Sequence, residues 1–174
     1  MPPPTLRLHV SSLARTHAVA AALANVARAG DVILLAGEMG AGKTAFAQAF
    51  GRALGVVETI TSPTFTLLHS YDTPGPTLHH ADLYRLEHMT EVADLALAEL
   101  AEFDGIVVVE WGDVVESTFG DHLLVRLEHV ADDTEARTVT IDPSGVTWAV
   151  RWTALTASVG AAADGATGSG TPSC

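Results

Sequence analysis

The chain has 174 residues, enough for one domain with a sizeable core. It carries 21 acidic residues against 9 basic ones, a formal net charge of −12, which disfavours direct, high-affinity contact with nucleic-acid phosphates. Its single cysteine, Cys174, excludes an internal disulfide framework and suits a reducing cytoplasm, and no apolar run approaches the roughly 18 residues of a membrane span.

Residues 5 to 10 read as a short strand, after an N-terminus without the basic-then-apolar pattern of a secretory signal. Ser11 or Ser12 can cap an alanine-rich helix that runs to about Ala29, with Gly30 ending it. "VILLA", within 31 to 36, is a buried strand, and 43 to 54 a helix stopped by Gly55. "ETITSPTF" is a polar loop in which Pro63 opposes helix. "FTLLHSY" and "TLHHADLY" read as a hairpin around "TPGP". "TEVADLALAEL" is an amphipathic helix capped by Thr90. "IVVVEW" is a short apolar strand ending in an acid. "HLLVRLEHV", "ARTVTID" and "VTWAVRW" are β-like runs separated by turns. From about Thr156 the sequence becomes small, polar and glycine-rich. The expectation is therefore one domain over 1–155 and a disordered tail over 156–174, because such a composition buries too little apolar area to offset ordering entropy.

The chemistry begins at "GEMGAGKT", residues 37 to 44. It has the G-x-x-x-x-G-K-T spacing of a Walker A phosphate loop and stands between a predicted strand and a predicted helix. Gly37, Gly40 and Gly42 allow tight turns and a close approach of backbone to polyphosphate. The candidate ligand-binding residues are Glu38, Met39, Gly40, Ala41, Gly42, Lys43 and Thr44. The helix N-terminus adds a partial positive charge, Lys43 reaches the β- and γ-phosphates, and Thr44 offers a hydroxyl to Mg²⁺. Lys43 is the only lysine in the chain, as expected where a compact ammonium has a particular task.

A phosphate loop also needs an acid at the carboxyl end of a neighbouring strand. Glu110, after four buried aliphatics, matches a Walker B position. Asp82 ends another predicted strand and suits either water orientation, with or without magnesium, or a plain solvated turn. His79 and His80 are adjacent on a strand and so point to opposite faces, which argues against a zinc site. Thr61, Ser62 and Thr64 lie where a γ-phosphate-sensing switch would sit, an ordinary hydroxyl-rich loop being the alternative. An N-K-x-D guanine motif is absent, so ATP is the better-fitting nucleotide. The arginines are scattered and form no visible kinase lid, although a small-molecule kinase stays open as the alternative.

Taken in order, "GEMGAGKT", "SPTFTLLHSY", "HADLYRLE" and "VVVEWGD" resemble the TsaE (YjeE) family over about residues 5 to 152. The resemblance implies an α/β, P-loop NTPase-like three-layer fold with a mixed central sheet. It implies ATP hydrolysis, with Thr44 and Glu110 on magnesium and with Lys43, Asp82 and Glu110 in the catalytic machinery. It also implies a switch-like "SPTF" segment and a site shaped in part by Trp111. The partners it implies are TsaB and TsaD, which transfer threonylcarbamoyl to adenosine 37 of ANN-decoding tRNAs. The ATPase supports turnover and meets tRNA only indirectly.

Overall fold

The structure is a computed structural model and describes residues 3–63, 67–84 and 96–165. Seven strands form one sheet: β1 (Leu6–Val10), β2 (Val32–Ala36), β3 (Leu68–Tyr71), β4 (Thr77–Asp82), β5 (Gly105–Glu110), β6 (His122–Val130) and β7 (Asp133–Ser144). Their order is β1-β7-β6-β2-β5-β4-β3. The four central strands β6, β2, β5 and β4 are parallel, and the antiparallel hairpins β3–β4 and β6–β7, with β1 beside β7, complete the edges. This is the mixed sheet expected from the sequence. "VILLA" is buried at every position because it lies between two parallel neighbours with layers on both faces.

Alternation sorts the core. Ile33 and Leu35 of β2, with Ile106 and Val108 of β5, face the helical layer of α1 (Leu13–Val26), α2 (Lys43–Leu54) and the C-terminal helix. Val32 and Leu34, with Val107 and Val109, face α3 (Leu97–Glu102) and a 3-10 segment, Gly112–Thr118. Three layers result. The 3-10 segment lies against β2 so closely that a Cβ at Gly112 would stand 2.7 Å from Cβ of Leu34. In α1, the Ser12 side chain accepts the Arg15 N–H at 3.2 Å, and Thr16, Val19, Ala20 and Leu23 form the buried stripe. In α2 that stripe is Phe46, Ala47 and Phe50, and Gly55, at φ 97°, terminates the helix as expected.

The C-terminal third departs from the sequence reading. "VTWAVRW" is not a strand. It forms a short helix, α4 (Val146–Ala149), and enters α5 (Trp152–Asp164). The boundary expected at residue 155 falls inside α5. Leu155, Val159 and Ala163 recur at helical spacing, are buried, and pack beside α1. A composition rich in Ala and Gly conceals that stripe, yet small side chains suit a helix lying close to another. Thr90 and the start of its predicted helix, and residues 166–174 with Cys174, lie outside the described residues. No helix among the described residues is long and apolar enough to cross a membrane.

Candidate active site at the carboxyl end of the sheet

The phosphate-loop sequence leaves β2 at Gly37, whose φ is 142°. A Cβ there would lie 2.3 Å from the Leu127 carbonyl oxygen on β6, so only glycine fits. Gly40 and Gly42 have open space around them, and their φ values of 78° and 108° are what favour glycine. The loop then enters α2, where the Phe46 N–H bonds the Gly42 carbonyl at 2.9 Å. From β7, Arg137 braces the loop from behind: its Nε–H donates to the Ala41 carbonyl at 2.9 Å.

Lys43 is 5% exposed. Its ammonium donates to the carbonyls of Gly37 (2.6 Å) and Glu38 (2.8 Å) and lies 3.9 Å from the centre of the Trp111 ring. Burial lowers its pKa below the ordinary lysine value, while the nearby carboxylates of Glu110, Asp82 and Asp113 act against that shift. Trp111 reaches this position because the backbone turns into the left-handed region immediately after β5 (φ 60°), uncommon for a bulky residue. Tyr84 packs against the same indole, with ring centroids 5.1 Å apart.

Strand register brings the acids together. Asp82 at the end of β4 pairs with Glu110 at the end of β5, and Glu110 pairs with Leu35 of β2, two residues before Gly37. Both carboxylates therefore emerge beside the loop. Thr44 Oγ1 donates to Glu110 Oε2 at 2.9 Å, and the other oxygen, Oε1, is 2.8 Å from His80 Nε2. Asp82 accepts from Ser62 Oγ at 2.7 Å and from the Tyr84 N–H at 3.0 Å. The backbone just before Ser62 is held at two points. Gln48 donates to the Ile60 carbonyl at 2.8 Å, and the Thr61 N–H donates to the buried Tyr71 hydroxyl at 3.3 Å.

Met39, Gly40, Gly42, Lys43, Thr44, Ser62, Asp82, Glu110 and Trp111 line one cleft of about 370 Å³. Met39 stands at its exposed rim, whereas Glu38, Ala41 and Thr61, also named from the sequence, do not line it. Thr64 lies outside the described residues. His79 points away from Glu110, and its Nδ1 is 2.7 Å from Ser70 Oγ. Ser12 and Thr16 are used in starting α1: Ser12 caps it, and Thr16 Oγ1 donates to the Ser12 carbonyl at 3.3 Å.

Three participants escaped the sequence reading. Arg137 acts across a separation of 96 residues, and no local pattern marks it. Tyr84 packs on Trp111 only because β4 ends beside β5. His80 did have a signal: it shares a face of β4 with Asp82, two residues on.

The donor set suits a hard cation. No group of three or more His, Cys, Asp or Glu among the described residues could hold a metal unaided. Mg²⁺ does not ask for one, since it is held by one or two protein oxygens together with phosphates and water. A threonine hydroxyl and a carboxylate oxygen 2.9 Å apart at a helix N-terminus are oxygens of that kind.

Comparison with known proteins identifies the family. The family model described as "Threonylcarbamoyl adenosine biosynthesis protein TsaE" matches residues 10–139. A tRNA threonylcarbamoyladenosine biosynthesis protein TsaE of Streptomyces coelicolor is 42% identical over 133 residues, covering 73% of this chain and 89% of that protein. The protein of the same description from Bacillus subtilis is 36% identical over 126 residues, covering 72% and 78%. The crystal structure of Bacillus subtilis YdiB superposes with a TM-score of 0.75 at 28% identity, covering 88% of this chain and 95% of that one. With the family model spanning most of its length, the chain belongs to the TsaE family of threonylcarbamoyl adenosine biosynthesis proteins.

Proposed function

We propose that this chain binds ATP and Mg²⁺ in the cleft and hydrolyses the nucleotide, in support of threonylcarbamoylation of adenosine 37 in ANN-decoding tRNAs. Its partners in this reading are TsaB and TsaD, and tRNA is reached only through them. The observation that carries the reading is the convergence of Thr44, Glu110 and Asp82 beside a lysine-bearing glycine loop.

The residues divide the work by how each is held. The backbone of residues 38–44 takes the phosphate oxygens, and Lys43 exchanges the carbonyls of Gly37 and Glu38 for the β- and γ-phosphates. Bound magnesium supplies charge neutralisation at the phosphate oxygens. Thr44 and Glu110 are the residues that hold it, Glu110 rigidly because it ends a strand buried at all six positions. Asp82 keeps acceptor capacity beyond its bonds from Ser62 and Tyr84, and it orients the attacking water. Among the described residues no arginine lines the cleft, so the transition-state charge lacks one donor type, which a partner or a closed switch provides. The acidic balance of the chain fits an ATPase that leaves tRNA contact to its partners.

Phosphate release measured with the chain alone, then with TsaB and TsaD, tests this. Slow release alone and faster release with both is expected. Equal rates would remove the partner-completed site. Phosphorylated acceptor appearing faster than free phosphate would make the chain a kinase.

A further inference from the structure

His80 is fully buried, lies one strand away from Glu110, and is absent from the set of residues given a role above. We propose that His80 is a positioning residue that fixes the Glu110 carboxylate for magnesium, by anchoring Oε1 so that Oε2 alone faces Thr44 and the metal. The proposal rests on the reading of Glu110 as a magnesium ligand.

With Glu110 as a carboxylate, the contact places one proton. A carboxylate has only acceptors, so the 2.8 Å contact requires His80 Nε2 to carry the hydrogen. A neutral imidazole then has no hydrogen on Nδ1. That atom is buried and meets no hydrogen-bond partner among the described residues. Such an orphaned acceptor costs about 1–3 kcal/mol relative to a satisfied one. Packing stability is thus a poor reason for a histidine here, since an aliphatic side chain on this face of β4, which also carries buried Leu78 and pairs with Val108 of β5, would not incur that cost.

What the imidazole does provide is direction. Glu110 has three side-chain torsions, and a free glutamate loses up to about 2 kcal/mol of rotamer entropy when fixed. With one oxygen bonded to His80 and the other to Thr44, those torsions are set before any ligand arrives. A metal ligand held by a second polar group in this way typically owes that group 10- to 100-fold in metal affinity.

The test is a titration of Mn²⁺, followed by electron paramagnetic resonance, into full-length protein saturated with ADP. ADP affinity in EDTA is measured alongside, with thermal melting as the check of folding. His80→Ala and His80→Asn should weaken Mn²⁺ binding about 10- to 100-fold and leave metal-free ADP affinity within about twofold. His80→Gln places an amide N–H near the position of Nε2 and should recover most of the loss. His80→Asn places its amide near Nδ1 and should not. Unchanged Mn²⁺ affinity in folded His80→Ala overturns the inference, as does recovery by Asn equal to that by Gln. If Glu110→Ala leaves Mn²⁺ binding intact, the reading of Glu110 as ligand fails, and the inference falls with it. Loss in Glu110→Ala with none in the His80 variants removes only the role of His80.

Discussion

The two ends of the sheet each bury a cation beside a carboxylate, and they use the pair in opposite ways. At the amino end, before β2, Arg151 meets Asp31 through two bonds of 2.8 and 2.6 Å. The same guanidinium donates to the carbonyls of Val26 and Thr147, and the Arg28 N–H adds a third bond to Asp31. Trp148 covers it at 4.1 Å. The charges are closed off inside the protein and pin α4 and α5 to the end of α1. At the carboxyl end Lys43 and Glu110 do not pair directly. Lys43 bonds loop carbonyls, Glu110 bonds a hydroxyl and an imidazole, and both line an open cleft. Buried charge alone therefore does not mark a functional site. A cleft lined by charges whose partners can be exchanged for ligand does.

Mutation should separate the two ends. Asp31→Ala leaves Arg151 buried without its counter-charge and should cost about 3–5 kcal/mol in denaturant unfolding, with nucleotide affinity little changed where the protein stays folded. Lys43→Ala should do the reverse. Nucleotide binding by calorimetry should fall about a hundredfold or more, and the melting temperature should hold, because burial disfavours the ammonium. Equal loss of stability in both variants would erase the distinction between the ends.

Within the carboxyl end, Asp82 and Glu110 sharpen the comparison. Asp82→Ala should keep nucleotide affinity within a few-fold and reduce turnover about 10²- to 10³-fold, the pattern of an interaction made mainly in the transition state. Glu110→Ala should reduce magnesium-dependent binding and turnover together. A matching affinity loss in Asp82→Ala would place both acids on the metal.

The helical layer offers a smaller effect. Ending the chain after residue 165 should leave the melting temperature nearly unchanged, since all of α5 is retained. Ending it after residue 155 removes buried Val159 and Ala163 and should lower stability by about 3 kcal/mol, read as several degrees of melting temperature. No difference between the two truncations would mean that α5 contributes nothing beyond Leu155.

The smallest effect concerns Asp121, whose side chain accepts N–H bonds from Val146 (3.1 Å) and Thr147 (2.9 Å) and a hydroxyl bond from Thr147. The Thr147 bonds hold its pKa below the usual carboxylate value. Its stabilisation is therefore present above the unfolded value near 3.9 and is lost as pH falls through the lower folded value. Asp121 is exposed, and solvent screening limits the contribution to about 1 kcal/mol or less. Asp121→Asn should flatten the fall in melting temperature at acid pH by that amount. An identical acid profile in both proteins would show that the carboxylate charge is not used.

What the sequence determined by itself was whatever is local. The loop at 37–44 is contiguous, so its glycines, Lys43 and Thr44 specify a turn and a helix start without help from distant residues. β2 and β5 were legible because an uninterrupted aliphatic run has few uses other than a strand covered on both faces. Glu110 followed from β5, and Asp82 from the end of a hairpin strand. Tertiary structure decided what depends on which strands become neighbours. Parallel pairing of β4, β5 and β2 set Asp82 and Glu110 in one row beside the loop and turned His80 from half of an unconvincing histidine pair into a partner of Glu110. The return of β7 behind the loop brought Arg137 to Ala41. In the last third, β-branched and aromatic residues at 146–152 suggested a strand, and small residues after 155 suggested no structure. Both readings missed that α1 presents an apolar surface on which Leu155, Val159 and Ala163 can be buried only from a helix, and burial against a neighbour outweighs local propensity.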